Sequence, residues 1–226
     1  MINNSKAHVF PLDSNPFSVS YEVWVIKFWQ WLISIPADRS PVTDQLGEHC
    51  GEGQVGTLVF NLAFSSMGGA ERTCTLQAGK NILVPINVVL CTDAEFPGAS
   101  EEDLDRLAER DESSDPFVFL SVDGIPFEQL ESTRPREKLK DIKEFRVHTK
   151  TFDVTYPERS PFGRPGHARA VADGYYAIID ALEPGQHEIV FKARLINPDT
   201  NRLFYSDRLK YTITVLEDQT SEDPEL

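Results

Sequence analysis

Tyr21, Trp24, Phe28, Trp29 and Trp31 crowd into residues 21–35, a run that stops at Pro36, and no other tryptophan occurs in the chain. Apolar residues at Tyr21, Trp24, Phe28, Trp31 and Ile35 recur at intervals of three and four, the spacing of one helical face. Ser18 or Ser20 suits the N-cap, Glu22 complements the positive end of the helix dipole, and Pro36 forbids continuation. The segment predicts one amphipathic helix that something large and apolar must cover. Each ring buries on the order of 200 Å², so the stripe reads as core, with Phe28 and Trp31 plugging one open end of the fold. Trp29 lies off the stripe and is the ring expected to line any cavity.

The rest of the 226-residue chain is written in short alternating runs. Its 40% apolar content can bury a substantial core, and its 15 prolines and 14 phenylalanines suit strands and turns better than a helical bundle. Strands are predicted at residues 55–63, 72–76, 81–90, 117–122, 125–130, 145–148, 152–156, 168–182, 188–196 and 208–216. The turn at 77–80 joins two of these strands, 183–186 reads as a hairpin, and the strands on either side of the Asp123-Gly124 turn are expected to pair. Ser100 and Asp103 resemble a capping box opening a second, acidic surface helix with Leu104, Leu107 and Ala108 as its apolar stripe. A short basic helix fits 138–143. This pattern predicts a mainly β fold, an antiparallel β-sandwich with jelly-roll topology as one option. The expected organisation is an irregular arm (1–17), one sandwich domain (18–216) and a disordered acidic tail (217–226).

Charge narrows the function classes. Residues 93–115 hold ten acids against Arg106 and Arg110, and residues 217–226 hold five acids and no base; together they carry −13 of the net −14. Phosphate backbones repel such a chain, so nucleic acid is not an expected partner. The aromatic helix is too short and too polar to span a bilayer, which needs about 20 apolar residues. Residues 1–5 lack the pattern of a secretion leader, which places the chain in the cytoplasm as an expectation. Histidines 8, 49, 148, 167 and 187 have no HxH or HExxH spacing, and no nucleotide-loop or nucleophile-elbow motif occurs, so neither metal nor cofactor is expected. Cys50, Cys74 and Cys91 read as buried thiols, with a Cys50–Cys74 disulfide as the alternative.

Several short motifs combine into a resemblance. Trp24, Trp29 and Trp31 are followed by Pro36, Pro41, Asp44, Gly47, Cys50, Gln54 and Gly56. Arg72-Thr73-Cys74, Ala78-Gly79-Lys80 and Pro85-Ile86 come next, then Asp173-Gly174-Tyr175 and the Pro184–His187 turn. Together these resemble an uncharacterised family of small, often secreted, microbial β-rich proteins. The resemblance implies a β-rich fold and no particular activity.

Two functions from different classes fit these residues. In the first, a β-sandwich module binds a small or anionic ligand, a glycan or a protein partner. Arg72 and Lys80 flank a strand–turn–strand unit, and Arg159, Arg164, His167 and Arg169 make a basic island with Asp173, Tyr175 and Trp29 as further candidate contacts. In the second, a small cofactor-independent lyase, cyclase or hydrolase uses Glu95 or Asp44 as acid or base and Arg72 to orient an anionic substrate. The oligomeric state is not legible.

Overall fold

Strand alternation decides the architecture. In β2 (Ala70–Gln77) every second residue is buried and the rest face solvent, as one covered face requires. In β8 (Gly166–Ile179) the run from Ala170 onward is buried on both faces, which demands a layer on each side. The computed structural model, describing residues 7–54, 56, 58–112, 116–131, 145–197 and 202–217, satisfies both patterns with two five-stranded sheets and two helices. The protein is mainly β.

In the first sheet β1 (Val59–Asn61) lies beside β3 (Asn81–Thr92), and β3 beside β8. β6 (Arg146–His148) and β7 (Phe152–Tyr156) follow one another along the far side of β8. The second sheet runs β2, β10 (Arg202–Leu216), β9 (Gly185–Asn197), β4 (Pro116–Val122) and β5 (Ile125–Glu131). Both sheets are mixed, because β1 pairs parallel to β3 and β2 parallel to β10. The expected mainly antiparallel sandwich is found, with these two parallel pairs as its exceptions. The hairpin expected at 183–186 is corrected: those residues carry the chain from β8 in one sheet to β9 in the other, just as residues 77–80 carry it from β2 to β3. Turn chemistry is common to hairpins and to such arches, so the local sequence cannot separate them. Of the turns singled out in the sequence, Asp123-Gly124, with positive φ at both residues, closes a hairpin, between β4 and β5.

Phe60, Ile82 and Val84 of the first sheet meet Leu120, Phe191 and Ile213 of the second to form the inter-sheet core. The opposite face of the first sheet is covered by α1 (Tyr21–Ile33), whose Ser20 hydroxyl caps Val23 N at 3.4 Å. Val25, Phe28, Trp29 and Leu32 of α1 pack on Ala168, Ala170, Ala172 and Tyr176. The helix therefore lies across a sheet face instead of plugging an end of the sandwich. α2 (Glu101–Glu112) begins with the reciprocal bonds of a capping box, Asp103 N to Ser100 Oγ at 3.1 Å and Ser100 N to Asp103 Oδ2 at 3.0 Å. It docks Leu104 and Ala108 on Cys91 and Val171. The arm is bound as well as irregular: Val9 bridges to Ile179, and the Tyr21 hydroxyl accepts from Ile178 N at 3.0 Å while donating to Phe10 O.

Gly174 marks the closest approach of β3 and β8. Its φ is +151°, and a Cβ there would stand 2.4 Å from Asn87 O, beside the register shift between Pro85 and Asn87. The short helix expected over 138–143 and all but the first residue of the expected tail lie outside the described residues.

Removing the Phe28 ring leaves a cavity in the helix–sheet core. Phe28→Ala is expected to lower unfolding free energy by about 3–5 kcal/mol in denaturant titrations, whereas Val23→Ala on the solvent side of α1 changes it by less than about 0.5 kcal/mol.

Candidate functional site

The loop over residues 40–54 is fastened to β2 and α1 and forms one wall of the candidate site. Gly47 touches β2 so closely that a Cβ would stand 2.4 Å from Thr73 O, with φ at +92°. The Asp44 carboxylate accepts from Leu46 N and Gly47 N at 2.9 Å and from His49 N at 2.8 Å. Partial burial works against that charge, but the three N–H groups and the nearby Arg72 outweigh it and hold the carboxyl below its usual range. Arg72 itself is 2% exposed. Its Nε donates to Asp44 O at 2.7 Å, Nη1 to Ala63 O at 2.8 Å and to the Tyr211 hydroxyl, and Nη2 to Val42 O and Phe64 O. A buried guanidinium satisfied by main-chain carbonyls is a loop clamp: Arg72 has no N–H left for a substrate, and Asp44 gives three acceptor positions to the loop's own backbone.

Cys50 and Cys74 form a disulfide, their Cα atoms 6.0 Å apart and 24 residues apart in sequence; Cys91 is buried outside the bridge. The same loop reaches α1 through Trp31 Nε1, which donates to Glu52 O at 2.9 Å.

Between this loop, α1 and the edge strand β1 opens a cleft of about 630 Å³. Trp24, half-buried, and Trp31, 4% exposed, line it, Lys27, Gln30 and Ser34 stand along the helical rim, and Leu58, Val59 and Asn61 make the strand side. Leu58 is 46% exposed. Gln54 replaces the missing neighbour of β1: its carboxamide donates to Asn61 O at 2.8 Å and accepts from Asn61 N at 3.0 Å. The indole assignment made from the helical stripe is reversed here. Trp29 is 3% exposed and donates to the Tyr176 hydroxyl at 2.8 Å, away from the cleft, because α1 is rolled so that its Val25–Phe28–Leu32 side meets the sheet.

The other candidate residues are dispersed. Lys80 Nζ donates to Gly56 O at 3.3 Å and so reaches the cleft's rim. In the basic island, Arg159 pairs with Asp38 at 3.0 Å, Arg169 with Asp93 at 3.0 Å and Glu101 at 3.4 Å, and His167 Nδ1 lies 2.9 Å from Thr155 Oγ1. Arg164 is exposed, as is Glu95, whose N–H donates to Thr92 Oγ1 at 3.2 Å. These groups do not converge on one point.

Asp173 and Tyr175 are buried, and Asp173 sits in a node that sequence reading missed. Arg146 grips Asp173 with both prongs, at 2.8 and 2.7 Å, and His148 Nδ1 lies 2.7 Å from the same carboxylate. His148 Nε2 reaches Asp105 of α2 at 2.7 Å, so one imidazole ties the helix to the sheet. Partial burial alone would depress its pKa, but the hydrogen bonds and charges of Asp105 and Asp173 outweigh this and raise it. The only sequence signal was alternation, which puts His148 opposite Asp173 once the strands are paired.

No group of three or more His, Cys, Asp or Glu among the described residues is placed to hold a metal ion, and none of their helices is long and apolar enough to cross a membrane. No family model matches the chain, and no curated protein sequence matches it.

A raised folded pKa for His148 gives stability that is full below the unfolded value of about 6.5 and is lost as pH rises through the folded value. The stability difference between the native protein and His148→Gln is therefore expected to be larger near pH 6 than near pH 9 in denaturant titrations; a pH-independent difference would contradict the charged tie. Closing a loop of 24 residues implies that Cys50→Ala/Cys74→Ala lowers stability by about 3 kcal/mol.

Proposed function

We propose that the protein is a non-catalytic binding module whose small-molecule ligand occupies the cleft between α1 and β1. The observation that carries this reading is the cleft's composition: two indole rings, apolar Leu58 and Val59, and a few polar side chains enclose about 630 Å³. That volume and mixture are typical of small-ligand sites, which run from about 300 to 1,000 Å³. The alternative, an enzyme built on Asp44 or Glu95 with Arg72, has less support, because Asp44 and Arg72 are committed to the loop and Glu95 does not line the cleft.

Membership of the uncharacterised β-rich family is part of the proposal. The residues that suggested it include Gly47 and Gly174, both at positions where a Cβ would meet backbone, and Cys50 and Cys74, which bridge. The bridge also favours an oxidising compartment over the cytoplasm as the place of work.

Leu58→Arg fills the cleft from its exposed side and leaves the cores untouched. Screening small anions and saccharides by intrinsic tryptophan fluorescence should reveal a ligand whose signal is lost in Leu58→Arg at an unchanged melting temperature. A signal that survives this substitution would place the ligand elsewhere.

A further inference from the structure

The strand side of the cleft carries a polar group that the protein does not use. Asn61 is 8% exposed, and its peptide N–H and C=O are taken up by Gln54. Its own carboxamide has no hydrogen-bond partner among the described residues, although it lines the cleft on the same strand face as Val59 and Ala63. A buried amide left unpaired is costly, and native structures rarely keep one without a reason.

The rim has matching spare capacity. Gln30 spends Nε2 on Asp153 O at 3.0 Å, which leaves Oε1 to accept. Ser34 Oγ donates to Trp31 O at 2.7 Å and keeps its lone pairs. The indole N–H groups are committed, Trp24 to Pro16 O at 3.2 Å and Trp31 to Glu52 O, so the indoles offer the ligand apolar surface, chiefly from the half-buried Trp24, but no donor. The single charge in the lining is Lys27, whose ammonium stands 4.7 Å from the Trp24 ring centroid and pairs with no carboxylate among the described residues.

A fitting ligand has an apolar ring face for an indole, hydroxyl groups that both donate and accept for Asn61, Gln30 and Ser34, and one negative group for Lys27. We infer that the cleft binds an acidic saccharide of the uronic-acid class, an assignment that rests on reading the cleft as a ligand site. An aromatic carboxylate would answer the rings and Lys27 but brings no hydroxyl donor for Asn61 Oδ1 or Gln30 Oε1. A neutral sugar would leave Lys27 without a counter-charge in a place from which acids are absent.

The test uses the full chain and tryptophan fluorescence titrations with digalacturonate, maltose and benzoate. Digalacturonate should bind about ten-fold more tightly than maltose, the worth of one charge-assisted hydrogen bond, and Lys27→Met should abolish that preference. Asn61→Leu should weaken digalacturonate about ten-fold while leaving the melting temperature equal or higher, because it removes an unpaired buried amide; a purely structural asparagine would not separate the two readouts in this direction. Equal binding of digalacturonate and maltose, or unchanged binding by Asn61→Leu, overturns the acidic-saccharide assignment. Binding of benzoate without digalacturonate overturns it too, while sparing the cleft as a ligand site. Digalacturonate that binds Leu58→Arg as well as the native protein contradicts both readings.

Discussion

A large-on-small contact between α1 and β8 orders the rest of the molecule. The helix brings Val25, Phe28, Trp29 and Leu32, and the strand answers with Ala168, Ala170 and Ala172 before Tyr176 closes the row. Small side chains on a twisted sheet let bulky rings come close to its backbone, and the apolar area removed from water is correspondingly large. The hydrogen bond from Trp29 to the Tyr176 hydroxyl fixes the roll of the helix about its own axis. That roll sends Trp29 inward and leaves Trp24 and Trp31 at the margin, where the sheet ends at β1. The cleft is a consequence of this geometry.

The wall opposite α1 depends on electrostatics of an uncommon kind. The Arg72 guanidinium sits at 2% exposure with its N–H groups given to carbonyls of residues 42, 44, 63 and 64 and to the Tyr211 hydroxyl. Such a charge tolerates burial only while its donors are occupied. Arg72 thereby draws the ends of two loop segments onto the second sheet, and the Cys50–Cys74 bridge adds a covalent tie at the same place. The Trp31–Glu52 hydrogen bond passes that order on to α1, so the proposed ligand would meet a pre-organised wall at little cost in ordering entropy.

How much of this was legible in the residues depends on the range of the interaction. The capping box of α2, the α1 helix with its Ser20 cap, and the Asp123-Gly124 hairpin are local, and periodicity and turn chemistry revealed them. The sheet assignment of β2, β3, β8 and β9 was hidden, because a Gly-bearing turn serves an arch between sheets as well as a hairpin within one. Parallel pairing of β2 with β10 joins residues more than 130 apart, beyond any local signal. The site followed the same rule. A heptad-like reading chose the stripe Tyr21–Trp24–Phe28–Trp31, but the helix meets a sheet, an arm and a loop from different sides, and so buries a wider arc. Arg72 and Asp44 were conspicuous in the sequence for a good reason, although their partners are backbone groups that carry no sequence signature. Asn61 drew no notice, since only tertiary structure reveals that an asparagine is buried with an unused side chain.

The three indole N–H groups offer the most direct check on the claim that α1 sets Trp24 and Trp31 in the wall of the cleft and turns Trp29 away from it. They resolve as separate signals in a ¹⁵N-correlated NMR spectrum, assignable by single Trp→Phe substitutions. On titration with digalacturonate the account predicts that the Trp24 and Trp31 signals move while the Trp29 signal, bonded to Tyr176, stays in place and exchanges slowly with solvent. A spectrum in which Trp29 moves and Trp24 and Trp31 do not would contradict it.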